Sequence, residues 1–328
     1  MALLPPSERA AVLRYYHVRD AKMSLASSFI KHVALAHLLP SLSWHDTCIT
    51  RDPATTKPIF TLPDSLQGTL PAVSFNVTHQ AGIVALLASR FPAKGPRVDV
   101  GVDIVCTSER RSRDLEVVLS DDSEKGGDGW ARFVDMHSDV FSARETAYLK
   151  HHVISAIPGL VTPSPANRTA EAVADAKLRA FYALWALREA YVKLTGDALL
   201  AAWLKDLEFR EFRPVAPTAG WNVPAREDGG NDEGDADADA DGHATKAAPY
   251  GAQVINKFDI YLEGKRVDDV NMSLRAMGSD FMICSAVRTL EQPEVGLALK
   301  LRPYRALDLH DMLDFAESKM EESKGSWP

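Results

Sequence analysis

Cysteine is scarce in this chain of 328 residues: Cys48, Cys106 and Cys284 are the three present, far apart and odd in number. That argues against a disulfide framework, denies the paired spacing of a zinc site, and points to a reducing compartment, the cytosol by default. An excess of positive charge is also missing. The formal net charge is −8, and eight acidic residues with no basic one fall between Glu227 and Asp241, so the remainder is close to neutral. With no basic surplus to neutralise phosphates, nucleic-acid binding is not indicated. No apolar run approaches the roughly 18 residues of a membrane span, and MALLPPSERAA lacks the charged and apolar regions of a secretory signal. Phosphate-cradling and nucleophile motifs are absent too: there is no G-x-x-x-x-G-K-[ST], no G-x-G-x-x-G and no G-x-S-x-G.

What is present is an ordinary soluble composition, 46% hydrophobic and 25% charged, in a chain long enough for one large domain or two moderate ones. The most informative stretch is Phe181–Gly196, FYALWALREAYVKLTG. Leu184, Leu187, Tyr191 and Leu194 recur at helical spacing and form an apolar stripe. Trp185, Glu189 and Lys193 recur every four residues on another face, and Gly196 supplies the stop. Glu189 followed by Lys193 is either a helix-stabilising pair or part of a site.

Upstream, Ser7–Leu39 reads as a helix with Ser7 as its N-cap. Arg14, Arg19 and Lys22 in this segment are either a solvated basic face or anchors for a phosphorylated ligand. Lys57 precedes Pro58 at the start of a short extended run and, taken alone, reads as a surface lysine. Residues 72–89 read as a hairpin in which Val73, Phe75 and Val77 alternate with polar residues, placing Thr78, His79 and Gln80 at the tip. His79 is a structural histidine or one that meets a phosphate. In RVDVGVDIV, Val98, Val100, Val102 and Ile104 share one face; Asp99, Gly101, Asp103 and Val105 share the other. An acid among apolar neighbours late in a central strand is costly unless neutralised, which favours a ligand or metal role for Asp103.

The polar run 108–129 reads as a loop, and Ser142 with Glu145 as a capping box on a following helix. Leu207–Phe212, Val254–Leu262 and Asp280–Arg288 read as strands, and Leu307–Met320 as an amphipathic helix. Residues 223–250 form an acidic low-complexity insertion. Asp237, Asp239 and Asp241 imitate a calcium loop, but Ala248 stands where its bidentate glutamate belongs. Two carboxylates with oxygen-type companions suit Mg²⁺, and Mg²⁺ with a lysine and a histidine suits phosphate or pyrophosphate transfer.

These residues carry a resemblance. Phe75-Asn76-Val77-Thr78-His79-Gln80 is similar to an FNxSHx hairpin, Gly101-Val102-Asp103-Ile104 to GxDI, and Trp185 through Lys193 to W-x-x-K-E-x-x-x-K. In that order and spacing the chain resembles the 4′-phosphopantetheinyl transferases of the large, surfactin-synthetase-activator type, most of all their eukaryotic broad-specificity branch. RDAKMSLAS and Lys57-Pro58 match accessory positions. Arg188 and Thr78 replace the more usual lysine and serine, and Val105 stands where many bacterial members carry a second acid. Members generally begin with a strand ahead of the first helix, whereas this chain starts at the helix.

The resemblance implies an α+β fold: a pseudo-twofold tandem of two similar halves, each a small antiparallel sheet packed on a long helix. The halves would be 1–96, with the CoA-anchoring residues and the FNVTHQ hairpin, and 97–328, with the GVDIV strand and the WALREAYVK helix. It implies transfer of the phosphopantetheine arm of coenzyme A to a serine of an apo carrier protein, releasing 3′,5′-ADP. Asp103 and Glu189 would hold Mg²⁺, with Gln80 or waters as possible supplements, and Glu189 would take the serine proton. Lys193 would meet the pyrophosphate or the departing phosphate, and His79 the CoA 3′-phosphate. Arg19, Lys57 and Thr78 would be further CoA-binding residues, while Trp185 would position the helix. The carrier could be of fatty-acid, polyketide, nonribosomal-peptide or aminoadipate-reductase type, and a monomer is expected. The alternatives are another Mg²⁺-dependent CoA or nucleotide pyrophosphate hydrolase, and a non-catalytic carrier-binding homologue.

Overall fold

The structure, a computed structural model, describes residues 2–120, 128–155, 169–197, 201–218 and 253–323, and the acidic stretch 223–250 lies outside them. The alternation at Val73–Val77 forms a strand that runs further than expected. Strand β3 (Ala72–Gln80) pairs antiparallel with β4 (Ile83–Phe91), from Ala72 opposite Phe91 to Gln80 opposite Ile83. Only Ala81 and Gly82 make the turn, both at positive φ (48° and 88°), as a tight hairpin needs. Thr78, His79 and Gln80 are therefore strand residues rather than the tip, and neighbouring side chains face opposite ways.

Ahead of this hairpin the helical text divides in two. Helix α1 (Pro6–Leu13) starts on Pro6, where a missing N–H costs nothing, with Pro5 rather than Ser7 as its N-cap. The chain leaves helical conformation at Tyr15-Tyr16-His17 and resumes as α2 (Val18–Leu38). Phe29, Val33 and Ala36 of α2 bury against Leu3, Leu4 and Trp44, and against Ala316 of α8 (Leu309–Glu322). The far end of the chain thus returns to the first half, where Trp44 N donates to Ser323 Oγ at 2.8 Å. Between α2 and β3, the short strands β1 (Ile49–Arg51) and β2 (Pro58–Phe60) pair with each other.

In the second half, β5 (Asp99–Cys106) is the edge of an antiparallel sheet. The strand order is β5-β11-β10-β7, with β7 Val254–Ile255, β10 Val270–Met277 and β11 Phe281–Arg288. A second sheet has the order β6-β8-β9, from β6 (Leu207–Arg210), β8 (Asp259–Leu262) and β9 (Lys265–Val267). Val254–Leu262, expected as one strand, is thus divided between two sheets. The polar run expected as a loop carries α3 (Arg111–Leu119) and opens α4 (Gly129–Asp135). Helix α5 (Ala143–His151) begins with the Ser142–Glu145 capping box, and a short α7 (Pro293–Ala298) follows β11.

The long helix α6 (Ala170–Thr195) lies on β5 and buries Leu184, Leu187, Tyr191 and Leu194, the stripe read from the residues. Gly101 is what lets the two touch: a Cβ there would sit 2.1 Å from Ala190 O and 2.5 Å from Leu194 N. Val98, Val100, Val102 and Ile104 pack on the opposite face of β5, with Leu87, Ile283 and Val287. The class is α+β. Among the described residues the sheets of the halves differ, hairpins before residue 96 and four- and three-stranded sheets after it, so the strand pattern does not display the expected twofold relation.

Candidate functional site

Edge strand β5 pairs with β11 on one side only, so its outer amides need other partners. Side chains of β3 supply them. Asn76 Oδ1 accepts from Val102 N at 3.0 Å, and Gln80 Oε1 accepts from Cys106 N at 3.1 Å. Between them Thr78 donates to Asp103 Oδ1 at 3.2 Å. The period-two spacing of Asn76, Thr78 and Gln80 therefore places all three on the face of β3 that meets β5. Gln80, considered as a supplementary metal ligand, has its amide oxygen committed to the Cys106 amide.

Asp103 projects from β5 toward α6 and is only 6% exposed. Lys193 Nζ donates to its Oδ1 at 2.6 Å and to Thr78 Oγ1 at 3.2 Å, while Oδ2 is buried with no hydrogen-bond partner. Burial pushes the Asp103 carboxyl above the usual range, against the opposing pull of the Lys193 ammonium and its hydrogen bonds. Glu189, one turn before Lys193, is pushed up to about 7, first by burial and then by the negative charge of Asp103, with Lys193 opposing. Each acid is thus costly to ionise where it stands, and a cation shared between them would relieve both.

Among the described residues no group of three or more His, Cys, Asp or Glu forms a metal cage. Two carboxylates, one with a buried and unpartnered oxygen, suit Mg²⁺, which completes its shell with waters and substrate phosphates. The residues present fit that ion.

The expected CoA-binding residues separate. Thr78 belongs to the Asp103 cluster, and His79, on the other face of β3, lines a cavity of about 600 Å³ with Arg14, Lys31 and Arg51. Ser24, Ser27 and Ser28 of α2 also line it. Arg19 is not among the lining residues; its side chain is 81% exposed and its Nε lies 3.6 Å from Asp20. Arg14 belongs to the basic cluster read from the residues, whereas Lys31 and Arg51 stand in no motif and carry no mark in the sequence. Lys57, expected beside a phosphate, has its ammonium on two backbone carbonyls, Val100 O and Lys193 O, both at 2.8 Å.

Arg188, at the motif position more often lysine, points away from this cluster. It is buried and donates to Glu145 Oε2 at 2.6 Å, to Leu207 O at 2.7 Å and to Leu204 O. Glu145 Oε1 in turn accepts from Phe209 N at 2.8 Å. Glu145 is therefore more than a helix cap: with Arg188 it satisfies backbone groups of β6. Trp185 packs among His137, Phe141 and Phe181, a positioning role for the helix.

Residues 1–91 match the description "4′-phosphopantetheinyl transferase, N-terminal", and residues 99–228 match the 4′-phosphopantetheinyl transferase superfamily. The 4′-phosphopantetheinyl transferase 1 of Fusarium mangiferae is 39% identical over 97% of this chain and 86% of its own. The chain belongs to the 4′-phosphopantetheinyl transferase family. A 4′-phosphopantetheinyl transferase of Aureobasidium melanogenum is 32% identical over 96% of this chain and 90% of its own. The 4′-phosphopantetheinyl transferase A of Aspergillus fumigatus is 32% identical over 92% and 79%. Both family-matched regions contribute to the cluster, Thr78 from the first and Asp103, Glu189 and Lys193 from the second.

Proposed function

We propose that the protein transfers the 4′-phosphopantetheine arm of coenzyme A to a serine of an apo carrier protein, releasing 3′,5′-ADP, in a Mg²⁺-dependent reaction. The observation that carries this reading is the Lys193–Asp103 contact where α6 crosses β5, with Glu189 one turn back on the same helix and within the influence of the Asp103 charge, in a chain of this family. The basic cavity of Arg14, Lys31, Arg51 and His79 is the candidate seat of the CoA 3′-phosphate, since guanidinium, ammonium and imidazole groups all donate to phosphate oxygens. Lys193, next to Thr78, is then available to the pyrophosphate. Asp103 and Glu189 would hold Mg²⁺, which when bound neutralises the pyrophosphate and the charge that grows during transfer.

Glu189 is the candidate base. In the metal-free protein, burial and the charge of Asp103 raise its carboxyl to about 7; a divalent cation held there would favour the ionised carboxylate, the form that accepts a proton. It takes the hydroxyl proton of the carrier serine as the serine oxygen bonds to the phosphorus bearing the pantetheine arm. The bond from that phosphorus to the bridging oxygen breaks, and the electron pair departs with 3′,5′-ADP. Lys193 compensates the negative charge on the leaving phosphate. All of these groups come from one chain, so a monomer suffices, with residues 1–96 and 97–328 as its halves.

Mass spectrometry of apo carrier domains of fatty-acid, polyketide, nonribosomal-peptide and aminoadipate-reductase type, incubated with CoA and Mg²⁺, tests the reading. The expected result is a carrier gaining the phosphopantetheine mass together with 3′,5′-ADP. ADP release without any carrier would favour a hydrolase, and CoA binding without turnover would favour a non-catalytic homologue; either overturns the proposal.

A further inference from the structure

The segment between β1 and β2 belongs to the first half of the chain, yet its end reaches into the second. Asp52 folds it into a tight loop. Its carboxylate accepts from the Ala54 and Thr55 amides, at 2.9 Å each, and its carbonyl accepts from Thr56 N at 2.8 Å. Thr55 then lies against Gly196, which ends α6 at a φ of 84°; a Cβ on Gly196 would sit 3.2 Å from Thr55 Cγ2. Lys57 follows, donating from a single ammonium to Val100 O of β5 and Lys193 O of α6. The Lys193 carbonyl is one of the helix's last, which have no partner within the helix. The amide four residues on, Asp197 N, turns to Thr195 Oγ1 instead. Lys57 thus caps α6 from a distant part of the chain, placing positive charge at the end of the helix where the macrodipole favours it.

We propose that Lys57 is a positioning residue for the transfer reaction: it fixes the last turn of α6 on β5 so that Lys193 and Glu189 meet Asp103, and it does not contact the phosphates of CoA. The inference rests on the transferase reading above. Its two acceptors flank the place where the backbones touch, Val100 beside Gly101 on the strand and Lys193 beside Leu194 on the helix. An ammonium joining these two carbonyls sets the height of the helix along the strand, and Lys193 is the residue whose own carbonyl is held. Burial lowers the Lys57 ammonium to about 8, with the charge of Asp99 opposing, so at neutral pH it remains largely charged.

The test uses the full chain with Lys57→Met and Lys57→Arg, following CoA affinity by calorimetry, kcat for carrier loading, and amide hydrogen exchange over residues 190–197. Lys57→Met is expected to cut kcat by roughly 10- to 100-fold while CoA affinity changes by less than about threefold. Exchange in the last turn of α6 should accelerate. Lys57→Arg, which can also donate to two carbonyls, should recover part of kcat and of the protection. A CoA affinity weakened about tenfold or more with kcat unchanged would make Lys57 a phosphate ligand and overturn the proposal. Unchanged exchange at the helix end would overturn it as well. A wild-type protein that loads no carrier would instead refute the transferase reading, and the exchange data would still decide whether Lys57 holds the helix.

Discussion

Lys193 Nζ lies 2.6 Å from Asp103 Oδ1, joining the end of a helix to an edge strand ninety residues earlier in the chain. Lys193 is also one turn beyond Glu189, so one helical face carries both the cation that meets the strand aspartate and a second acid that feels its charge. Asp103 ionises there at a cost, because burial outweighs the pull of Lys193.

Removing that charge should separate stability from function. Asp103→Asn is expected to melt at or above the wild-type temperature, since it deletes a buried and partly unsatisfied carboxylate. Carrier loading should fall by about 100-fold or more, the scale of losing an electrostatic group at a reacting centre. Thermal melts and a loading assay on the same preparation check both, and full activity in this variant would remove Asp103 from the site.

Glu189 makes the stability of the metal-free protein depend on pH. Its folded midpoint, about 7, lies above the ordinary 4.5, so the folded state binds the proton more tightly than the unfolded state. The resulting stabilisation is fully present below about 4.5 and is lost as pH rises through about 7. Melts in EDTA across this window should show wild type losing stability relative to Glu189→Gln as pH rises. A difference between the two proteins that does not change with pH would contradict the assignment.

The buried Arg188–Glu145 pair should behave in the opposite way to Asp103. Arg188→Met leaves Glu145, 1% exposed, without its counter-charge and is expected to cost about 3–5 kcal/mol. Adding Glu145→Gln should cost less than the sum of the single changes, because the orphaned charge is gone. Denaturant midpoints of the four proteins measure this, and strict additivity would show that the pair is not coupled.

In the basic cavity, His79→Ala and Arg51→Ala should each weaken CoA about tenfold, the loss of one charge-assisted hydrogen bond. Binding of 3′-dephospho-CoA should change little. Equal losses for both ligands, measured by calorimetry, would move the 3′-phosphate elsewhere.

Much of the cluster was legible because it follows backbone periods. The alternation of valines in RVDVGVDIV fixes which way Asp103 and Gly101 face, and the spacing of four fixes Glu189 and Lys193 on one side of α6. The Ser142–Glu145 capping box was readable for the same reason. What was not legible depends on contacts that leave no mark in the residue pattern. The two acceptors of Lys57 are backbone carbonyls, and any residue presents those. Arg188 sits one place before Glu189 in the motif, but its partner is set by where α5 and β6 pack. Helix α3 lies within a polar run, and the break at Tyr15-Tyr16-His17 rests on residues with only moderate helix preference. Asn76 reads as part of the polar side of a half-buried strand, and Thr78 and Gln80 as part of the hairpin tip; that Asn76 and Gln80 accept from the outer amides of β5 while Thr78 holds the Asp103 carboxylate emerges only once the two strands are side by side.

The most direct test of the central claim, that Asp103 and Glu189 share one divalent ion, is Mn²⁺ binding followed by electron paramagnetic resonance in the presence of CoA. Wild type should bind one tight ion that Mg²⁺ displaces, and Asp103→Asn and Glu189→Gln should each lose it. Undiminished Mn²⁺ affinity in both variants would contradict the account.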